Sequence, residues 1–278
     1  MKTTRQQNSS SPGWWRLALG AVIVAAFTTA LRAEAPGDDS SQAEKTEENL
    51  KSLQDPTILA RRAWADTEWN QYADGRHYLE ETLGGLWAWR VSEAQDWGVR
   101  VTVPYEWHLA GDAAGDSDDR GLGDIKFATG TAFHLGRTWR MGLGAELRTP
   151  TAEAGLGDNV WRIQEFVALA WDATPWLTLS PSAEYNQSFH EEPGVASQHF
   201  LEMYFPATFL LPHHWSVSPR YEAKVNFEDD NYVTHTAKFL IAKQLTNPPL
   251  GLAASVKRSF DSGEKDFTVN FIVTYYFR

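Results

Sequence analysis

Charged residues alternate with apolar residues along several stretches of the chain. Between Trp215 and Phe227 every second residue is apolar, and Arg220, Glu222 and Lys224 lie among the residues between them. Because successive side chains of an extended strand point to opposite faces, these charges share one face. Such a face can select ions and polar solutes in a water-filled passage, or it can form ion pairs with neighbouring strands.

Two other groups contain the residue types that catalysis or metal binding needs. On a strand, Ser188 and His190 would share a face, as the nucleophile and base of a phospholipase-like hydrolase do, but the sequence shows no orienting third group. His213 and His214 lie in a short turn with no third ligand in view. We therefore expect no catalytic residues and no metal site, and a lipid-modifying enzyme remains the alternative.

The segment GDAAGDSDDRGLGD contains clustered carboxylates at Asp112, Asp116, Asp118, Asp119 and Asp124. Such a cluster on a loop could bind Ca²⁺, or divalent ions shared with lipopolysaccharide, although its spacing is not that of an EF-hand. A solvated outer loop is the simpler interpretation. The two GLGD motifs lack the third glycine and the strand-to-helix context of a nucleotide site, so their glycines are interpreted as turn formers and no cofactor is expected.

Long strands must position these residues. Period-two alternation predicts about twelve strands, near residues 58–72, 76–91, 97–109, 122–134, 138–149, 160–172, 176–188, 199–211, 215–227, 232–245, 249–260 and 266–277. Most exceed the usual length of about five or six residues and approach the roughly nine to eleven that cross a bilayer at a tilt. Short links alternate with long acidic ones. We predict an all-β fold, a transmembrane antiparallel β-barrel of the bacterial outer-membrane type, with a soluble sandwich as the alternative.

Tryptophan placement favours the barrel over the sandwich. The chain has 13 Trp, and seven lie within a few residues of a predicted short turn. In a barrel these form one ring at the membrane–water boundary, where an indole buries its rings and keeps its N–H hydrated. The predicted membrane-interface residues are Trp87, Trp89, Trp97, Trp139, Trp171, Trp176 and Trp215.

The two ends of the barrel segment must pair to close it. The final stretch FTVNFIVTYYFR alternates strictly, and we expect a signal for the barrel-insertion machinery at Phe271, Val273, Tyr275 and Phe277. Residues 58–72 alternate poorly and could instead form an amphipathic helix or a plug. They are assigned to the first strand because bacterial single-chain barrels have even strand numbers.

In the barrel, the charged face lines the lumen. Its predicted members are Arg100, Glu106, His108, Lys126, Arg140, Glu146, Arg148, Arg162, Glu184, Arg220, Glu222, Lys224, Lys238 and Lys257. In a solvated pore, the slight basic excess favours anions. In a narrow barrel the charges would pair and fill the lumen. A barrel of twelve strands is intermediate in size between packed eight-stranded and open sixteen-stranded barrels, so the sequence is compatible with a solvated pore and with a filled lumen.

The beginning of the chain predicts export. Lys2, Arg5 and Arg16 precede an apolar run that ends near small residues, as in a cleaved secretory signal. An uncleaved anchor is disfavoured because the run is short for a membrane span. The expected organisation is a signal peptide, a flexible periplasmic leader with room for one short helical turn, and the barrel, at residues 1–33, 34–54 and 55–278.

Composition narrows the partners. The net charge is −11 and no basic patch appears, so nucleic acid is not expected. The chain contains no cysteine, so no disulfide can stabilise the exported protein. The expected partners are outer-membrane lipid and lipopolysaccharide, the barrel-insertion machinery and a small-molecule solute.

Five short motifs resemble an outer-membrane family named for the MetA-pathway of phenol degradation. They are DPT at 55–57, VTVPY at 101–105, GLGDI at 121–125, TPTA at 149–152 and GLGDN at 155–159. The resemblance implies a porin-like barrel that takes up aromatic or otherwise hydrophobic compounds. Together with the charged lumen, it predicts an outer-membrane channel or uptake pore gated by acidic outer loops. The alternatives are the lipid-modifying enzyme and a structural barrel with a filled lumen.

Overall fold

A computed structural model describes residues 40–72, 77–109, 119–153, 156–261 and 265–277. Among these residues, no helix combines the length and the hydrophobicity needed to cross a membrane. Several of the predicted features lie outside the described residues: the signal peptide, Asp112, Asp116, Asp118 and Arg278.

The described chain forms one helix and fourteen strands. The helix, α1, is Ser40–Ser52. The strands are β1 (Arg62–Tyr72), β2 (His77–Ser92), β3 (Gln95–Leu109), β4 (Asp119–Leu122), β5 (Lys126–His134), β6 (Trp139–Arg148), β7 (Val160–Thr174), β8 (Leu177–Leu179), β9 (Ser182–Glu191), β10 (His199–Leu211), β11 (Trp215–Asn226), β12 (Tyr232–Gln244), β13 (Leu250–Ser259) and β14 (Lys265–Tyr276).

These strands form a single closed sheet in which paired strands are antiparallel. Both β4 and β5 pair with β3, and both β8 and β9 lie between β7 and β10. Each of these two pairs is therefore one barrel strand with an interruption. The result is a closed barrel of twelve antiparallel strands, which confirms the predicted fold class. A single closed sheet also rules out the two-sheet sandwich.

The barrel closes between the first and last strands. Arg62 to Tyr72 pair with β14 on one side and with β2 on the other, so residues 62–72 form the predicted first strand. On β14, Val273 and Tyr275 are exposed on the outer wall, while Thr274 between them is buried. Pairing of β14 with β1 removes the open edge that would make this apolar strand prone to aggregation.

The two faces of the wall differ as the alternation predicts. Leu83 is 64% exposed and Phe239 is 48% exposed on the outer surface, while Ser218 and Glu222 on the inner surface are buried. An apolar outer band and a polar interior are the pattern of a barrel that lies in lipid.

Part of the predicted flexible leader is helical and packs inside the barrel. Leu50 of α1 is buried against Leu240, Ala242 and Ala253, whose side chains face inward. This contact lies at the end of the short turns, which is the periplasmic end in barrels of this kind. We call residues 40–61 the plug. The sequence did not reveal its packing because α1 is mostly polar and has few apolar residues to signal a buried face.

Gly84 and Gly85 provide a matched pair for testing the inner packing. A Cβ on Gly84 would lie 2.1 Å from the indole of Trp64, whereas one on Gly85 would meet no atom within 4 Å. We expect Gly84→Ala to lower the free energy of unfolding by about 1–3 kcal/mol through overpacking. Gly85→Ala should leave it unchanged. Urea unfolding of the refolded protein in detergent micelles measures both, and equal midpoints would contradict this packing.

Candidate functional site

The inner wall encloses a cavity of about 800 Å³, which we call the lumen cavity. Half of the predicted lumen-facing residues line it: Arg100, Lys126, Glu146, Arg148, Arg162, Glu184 and Lys224. Glu106 and His108 line a second space of about 420 Å³, the outer cavity, together with Lys126 and Arg148. The structure thus brings most of the predicted charges into two adjoining spaces in the outer part of the barrel.

Some of the predicted charges form structural ion pairs, as expected of a narrow barrel whose lumen is filled by paired charges. The guanidinium of Arg100 contacts the carboxylate of Glu146 at 2.6 Å. Glu222 binds Arg220 on its own strand and Lys257 at 2.9 Å. Lys238 lies in register with Arg220 and Lys257 on the strands at either side. Arg220, Lys238 and Lys257 therefore form a row of three like charges across β11 to β13. Glu222, a residue of the wall itself, compensates this row by pairing with Arg220 and Lys257.

A second row of three cations lies on β5, β6 and β7, and its compensating charge comes from outside the wall. Lys126 is in register with Arg148, and Arg148 is in register with Arg162. Like charges on directly opposed residues destabilise a sheet. The loop after β6 supplies the compensating charge, because Asp158 contacts both Arg148 and Arg162, the latter at 3.1 Å. We call Lys126, Arg148 and Arg162 the cation row.

Backbone hydrogen bonds hold the Asp158 loop over the lumen. The buried carboxylate of Asp124 accepts the backbone N–H groups of Ala152, Asp158 and Asn159 at 3.2, 2.7 and 3.2 Å. The N–H of Gly157 donates to Glu106 at 3.0 Å. Asp124 is therefore a structural cap for this loop, which corrects the interpretation that placed it in a solvated outer loop.

Two glycines of the GLGD motifs, Gly123 and Gly157, have different roles, and Gly155 lies outside the described residues. Gly157 has a φ of +62°, as expected of a turn former. Gly123 instead leaves room for a neighbour, because a Cβ there would lie 2.3 Å from a carboxylate oxygen of Glu106. The prediction that all these glycines form turns is therefore right for Gly157 and incomplete for Gly123.

Asp158 is an ionised group held inside the mouth of the barrel. Burial favours its neutral form, but the positive charges of Arg148, Arg162 and Lys126 outweigh burial and hold the pKa of the Asp158 carboxyl below its usual value. The carboxylate therefore remains charged at neutral pH and stays attracted to the cation row.

Asp158 and the cation row separate the two cavities. Lys126, Arg148 and Asp158 line both the outer cavity and the lumen cavity. The outer cavity also has aromatic walls, including Tyr78 and His108, whose rings meet edge to face at 4.8 Å. The lumen cavity is also lined by Ser197 and Glu228 of two outer loops, so both spaces extend to the outer end of the barrel.

The lumen cavity is also lined by residues that strand alternation did not predict to face inward: Trp64, Asp66, Glu80, Phe200, Glu202 and Tyr204. On β10 both alternating sets of residues contain apolar side chains, so the rule that aromatic residues face lipid does not identify the inner face of this strand. Phe205 does face outward, whereas Phe200 faces inward with its ring 4.3 Å from Nζ of Lys224 and 5.2 Å from the Arg162 guanidinium. The shared parity of Phe200 with Glu202 was the signal that could have found it.

The periplasmic plug is anchored by charge. Arg140, predicted as a lumen residue, lies beneath the lumen cavity and binds Asp55 of the plug at 2.9 Å and Asp172 of β7 at 2.5 Å. Lys51 of α1 also reaches Asp172, at 2.9 Å. Asp55 further accepts the hydroxyl of Thr57 at 2.6 Å. The DPT motif thus attaches the plug to the inner wall.

The seven predicted interface tryptophans lie in the parts of their strands, or in the turn, nearest the short-turn end of the barrel. Trp89 is in register with Trp97, and Trp139 stacks on Trp171 with ring centroids 5.5 Å apart. Trp87 and Trp176 are among the most exposed, at 55% and 53%. Their role at a membrane surface stays a prediction, as does the insertion signal at the end of β14.

The remaining chemical candidates do not assemble into a catalytic or metal site. Ser188 is buried, donates its hydroxyl hydrogen to Glu191 and accepts the backbone N–H of Gln198, while His190 is exposed. His213 and His214 form a tight turn with positive φ values of 60° and 59°. Among the residues that the structure covers, no group of three or more His, Asp or Glu could hold a metal ion.

Comparison with known proteins gives the same architecture. A family model described as "Putative MetA-pathway of phenol degradation" matches residues 38–194. The chain resembles the COG4313 outer membrane channel from Pseudomonas putida F1 with a TM-score of 0.68 and 16% identity, over 78% of this chain and 95% of that one. No curated protein matches the chain.

Two further solved structures are similar at lower scores. The translocator domain of the autotransporter NalP from Neisseria meningitidis has a TM-score of 0.52 and 10% identity, over 84% of this chain and 96% of that one. The KdgM porin has a TM-score of 0.50 and 10% identity, over 78% and 99%. At these identities the likeness is one of fold.

The plug anchor can be tested with a single introduced thiol, because the chain has no cysteine. Leu50→Cys places a thiol at a buried position of α1. Asp55→Asn in this background removes the charge that binds Arg140, and charge-assisted hydrogen bonds contribute about 1.5–3 kcal/mol, so labelling by a polar maleimide should accelerate roughly tenfold. Glu47→Gln, at an exposed carboxylate of the same helix, is the matched control and should have no effect. Unchanged labelling with Asp55→Asn would contradict the anchor.

Proposed function

The chain belongs to the MetA-pathway of phenol degradation family, whose model matches more than half of its 278 residues, and we propose that it is a passive uptake pore for small molecules. Membership confirms the resemblance inferred from the motifs. The pore lies in the bacterial outer membrane and admits small, hydrophobic or aromatic solutes. The barrel fold and its apolar outer band support this location.

The observation that carries the proposal is the lumen cavity of about 800 Å³ inside a closed barrel. A purely structural barrel would fill this space with side chains, as the small eight-stranded barrels do. Among the described residues, those of the plug occupy the periplasmic part of the interior and leave this cavity open. The cavity wall combines charged groups with the rings of Trp64 and Tyr204, so it offers both polar and aromatic surface to a solute.

On the proposed route, which begins in the outer cavity, the solute passes two barriers. At the outer end, Asp158 and the cation row separate the outer cavity from the lumen cavity. At the periplasmic end, the plug is held by the contacts of Asp55 and Lys51 with the wall and by the packing of Leu50. In the proposed mechanism the plug shifts within the barrel and opens the periplasmic exit, while the wall stays closed.

A lipid hydrolase is the weaker candidate. Its nucleophile and base would have to lie on the outer wall near lipid. Ser188 instead faces inward and its hydroxyl contacts Glu191 and Gln198.

Conductance tests the pore. In planar lipid bilayers we expect the wild-type protein to conduct in discrete steps, because ions can follow a charged lumen. Asp55→Asn should increase the fraction of time in the open state, since it weakens the hold of Arg140 on the plug. Glu47→Gln serves again as the control and should behave as wild type. If neither the wild type nor Asp55→Asn conducts after correct insertion, a solvated pore is wrong.

A further inference from the structure

We propose that the cation row is a binding site for the carboxylate of an aromatic monocarboxylic acid, and that Asp158 is the built-in carboxylate that a solute displaces on its way through the constriction. This assignment rests on the proposed pore function and narrows its solute to one chemical class.

The cation row is an anion site by composition and geometry. Lys126, Arg148 and Arg162 occupy directly opposed positions on three consecutive strands, all facing inward. Arginine binds a carboxylate with a planar fork of donors. The Nε of Arg148 is buried and has no hydrogen-bond acceptor among the described residues. One donor of the cation row is therefore left without a partner, although neighbouring atoms cover it in this arrangement.

Other carboxylates near the row are already bound elsewhere. Glu146 is paired with Arg100 at 2.6 Å. Glu80 accepts the hydroxyl groups of Tyr78 at 2.8 Å and Thr82 at 2.7 Å. Asp158, by contrast, comes from a loop and bridges two members of the row. It occupies the place that a carboxylate of a solute would take.

A solute carboxylate could displace the Asp158 carboxylate from the cation row without moving the loop that contains Asp158. Its loop is fixed through backbone N–H groups bonded to Asp124 and Glu106, and these bonds do not involve the Asp158 side chain. The side chain can therefore rotate away while the loop stays in place. A competing carboxylate would then replace one charge by an equal charge, so the burial of the arginines remains compensated.

The outer cavity supplies the selectivity for an aromatic ring. Its walls include Tyr72, His77, Tyr78 and His108, and it opens directly onto Lys126 and Arg148. Its volume of about 420 Å³ accommodates one small ring. A benzoate-like solute can place its ring among these side chains and direct its carboxylate at the cation row.

Isothermal titration calorimetry on the folded, detergent-solubilised protein tests the site. We expect benzoate to bind more tightly than benzyl alcohol, its neutral analogue of similar size, and more tightly than acetate, which lacks the ring. Because charge-assisted hydrogen bonds are the strong ones, Asp158→Asn should raise the affinity for benzoate roughly tenfold by removing the competitor. Arg148→Gln should lower it by a similar factor.

Asp229→Asn is the matched control, since it removes an exposed carboxylate from a different outer loop and should leave benzoate affinity unchanged. Arg148→Gln provides an independent reading if Asp158→Asn does not refold. The assignment is overturned if benzoate and benzyl alcohol bind equally, or if benzoate affinity is unchanged by either substitution. Equal affinity for acetate and benzoate would overturn the aromatic part.

Conductance separates a failure of this site from a failure of the pore. A protein that conducts ions but does not distinguish benzoate from benzyl alcohol is a pore without the proposed site. A protein that binds benzoate as expected but never conducts retains the site and refutes the pore. Where it conducts, Asp158→Asn should also shift the reversal potential in a salt gradient toward anions, because one fixed negative charge leaves the constriction.

Discussion

Closure of the sheet between β1 and β14 is the constraint on which the rest of this structure depends. In lipid no water is available to hydrogen-bond an exposed strand edge, so every backbone group must find a partner within the sheet. The pairing of Arg62–Tyr72 with Lys265–Tyr276 provides those partners and turns twelve strands into a continuous wall. An apolar outer surface then faces lipid, and the polar side chains have only the interior to occupy.

The charged side chains of the interior are compensated by different partners in different parts of the barrel. On one side Arg220, Glu222 and Lys257 pair within the wall and stabilise it. At the periplasmic end Arg140 binds the plug through Asp55. At the outer end the cation row is compensated by Asp158, a residue of a loop. Two of the three charge systems therefore join the wall to a segment outside it, the plug at one end and the Asp158 loop at the other.

The contacts of the plug and of Asp158 differ in what they can regulate. The plug combines ionic contacts with the buried side chain of Leu50, so its displacement costs both charge pairing and apolar burial. The Asp158 contact involves one side chain whose loop is independently held by Asp124. The outer constriction is therefore suited to selecting solutes, and the plug to opening and closing the periplasmic exit.

Alternation alone identified the barrel, because a wall between lipid and a polar interior imposes period two on nearly every strand, and the charged positions from Arg100 to Lys257 followed from it. The weakly alternating residues 58–72 needed an argument from strand parity. Three features required the folded chain: the plug, Phe200 on the inner wall, and the bridge from Asp158 to Arg148 and Arg162. The plug contacts wall residues that are distant in sequence, as Asp55 contacts Arg140, so no local pattern contains its position. Asp158, Arg148 and Arg162 belong to one hairpin, but strand alternation does not say where a loop side chain points. Phe200 is an aromatic residue on the inner wall, and only its shared parity with Glu202 indicates that face.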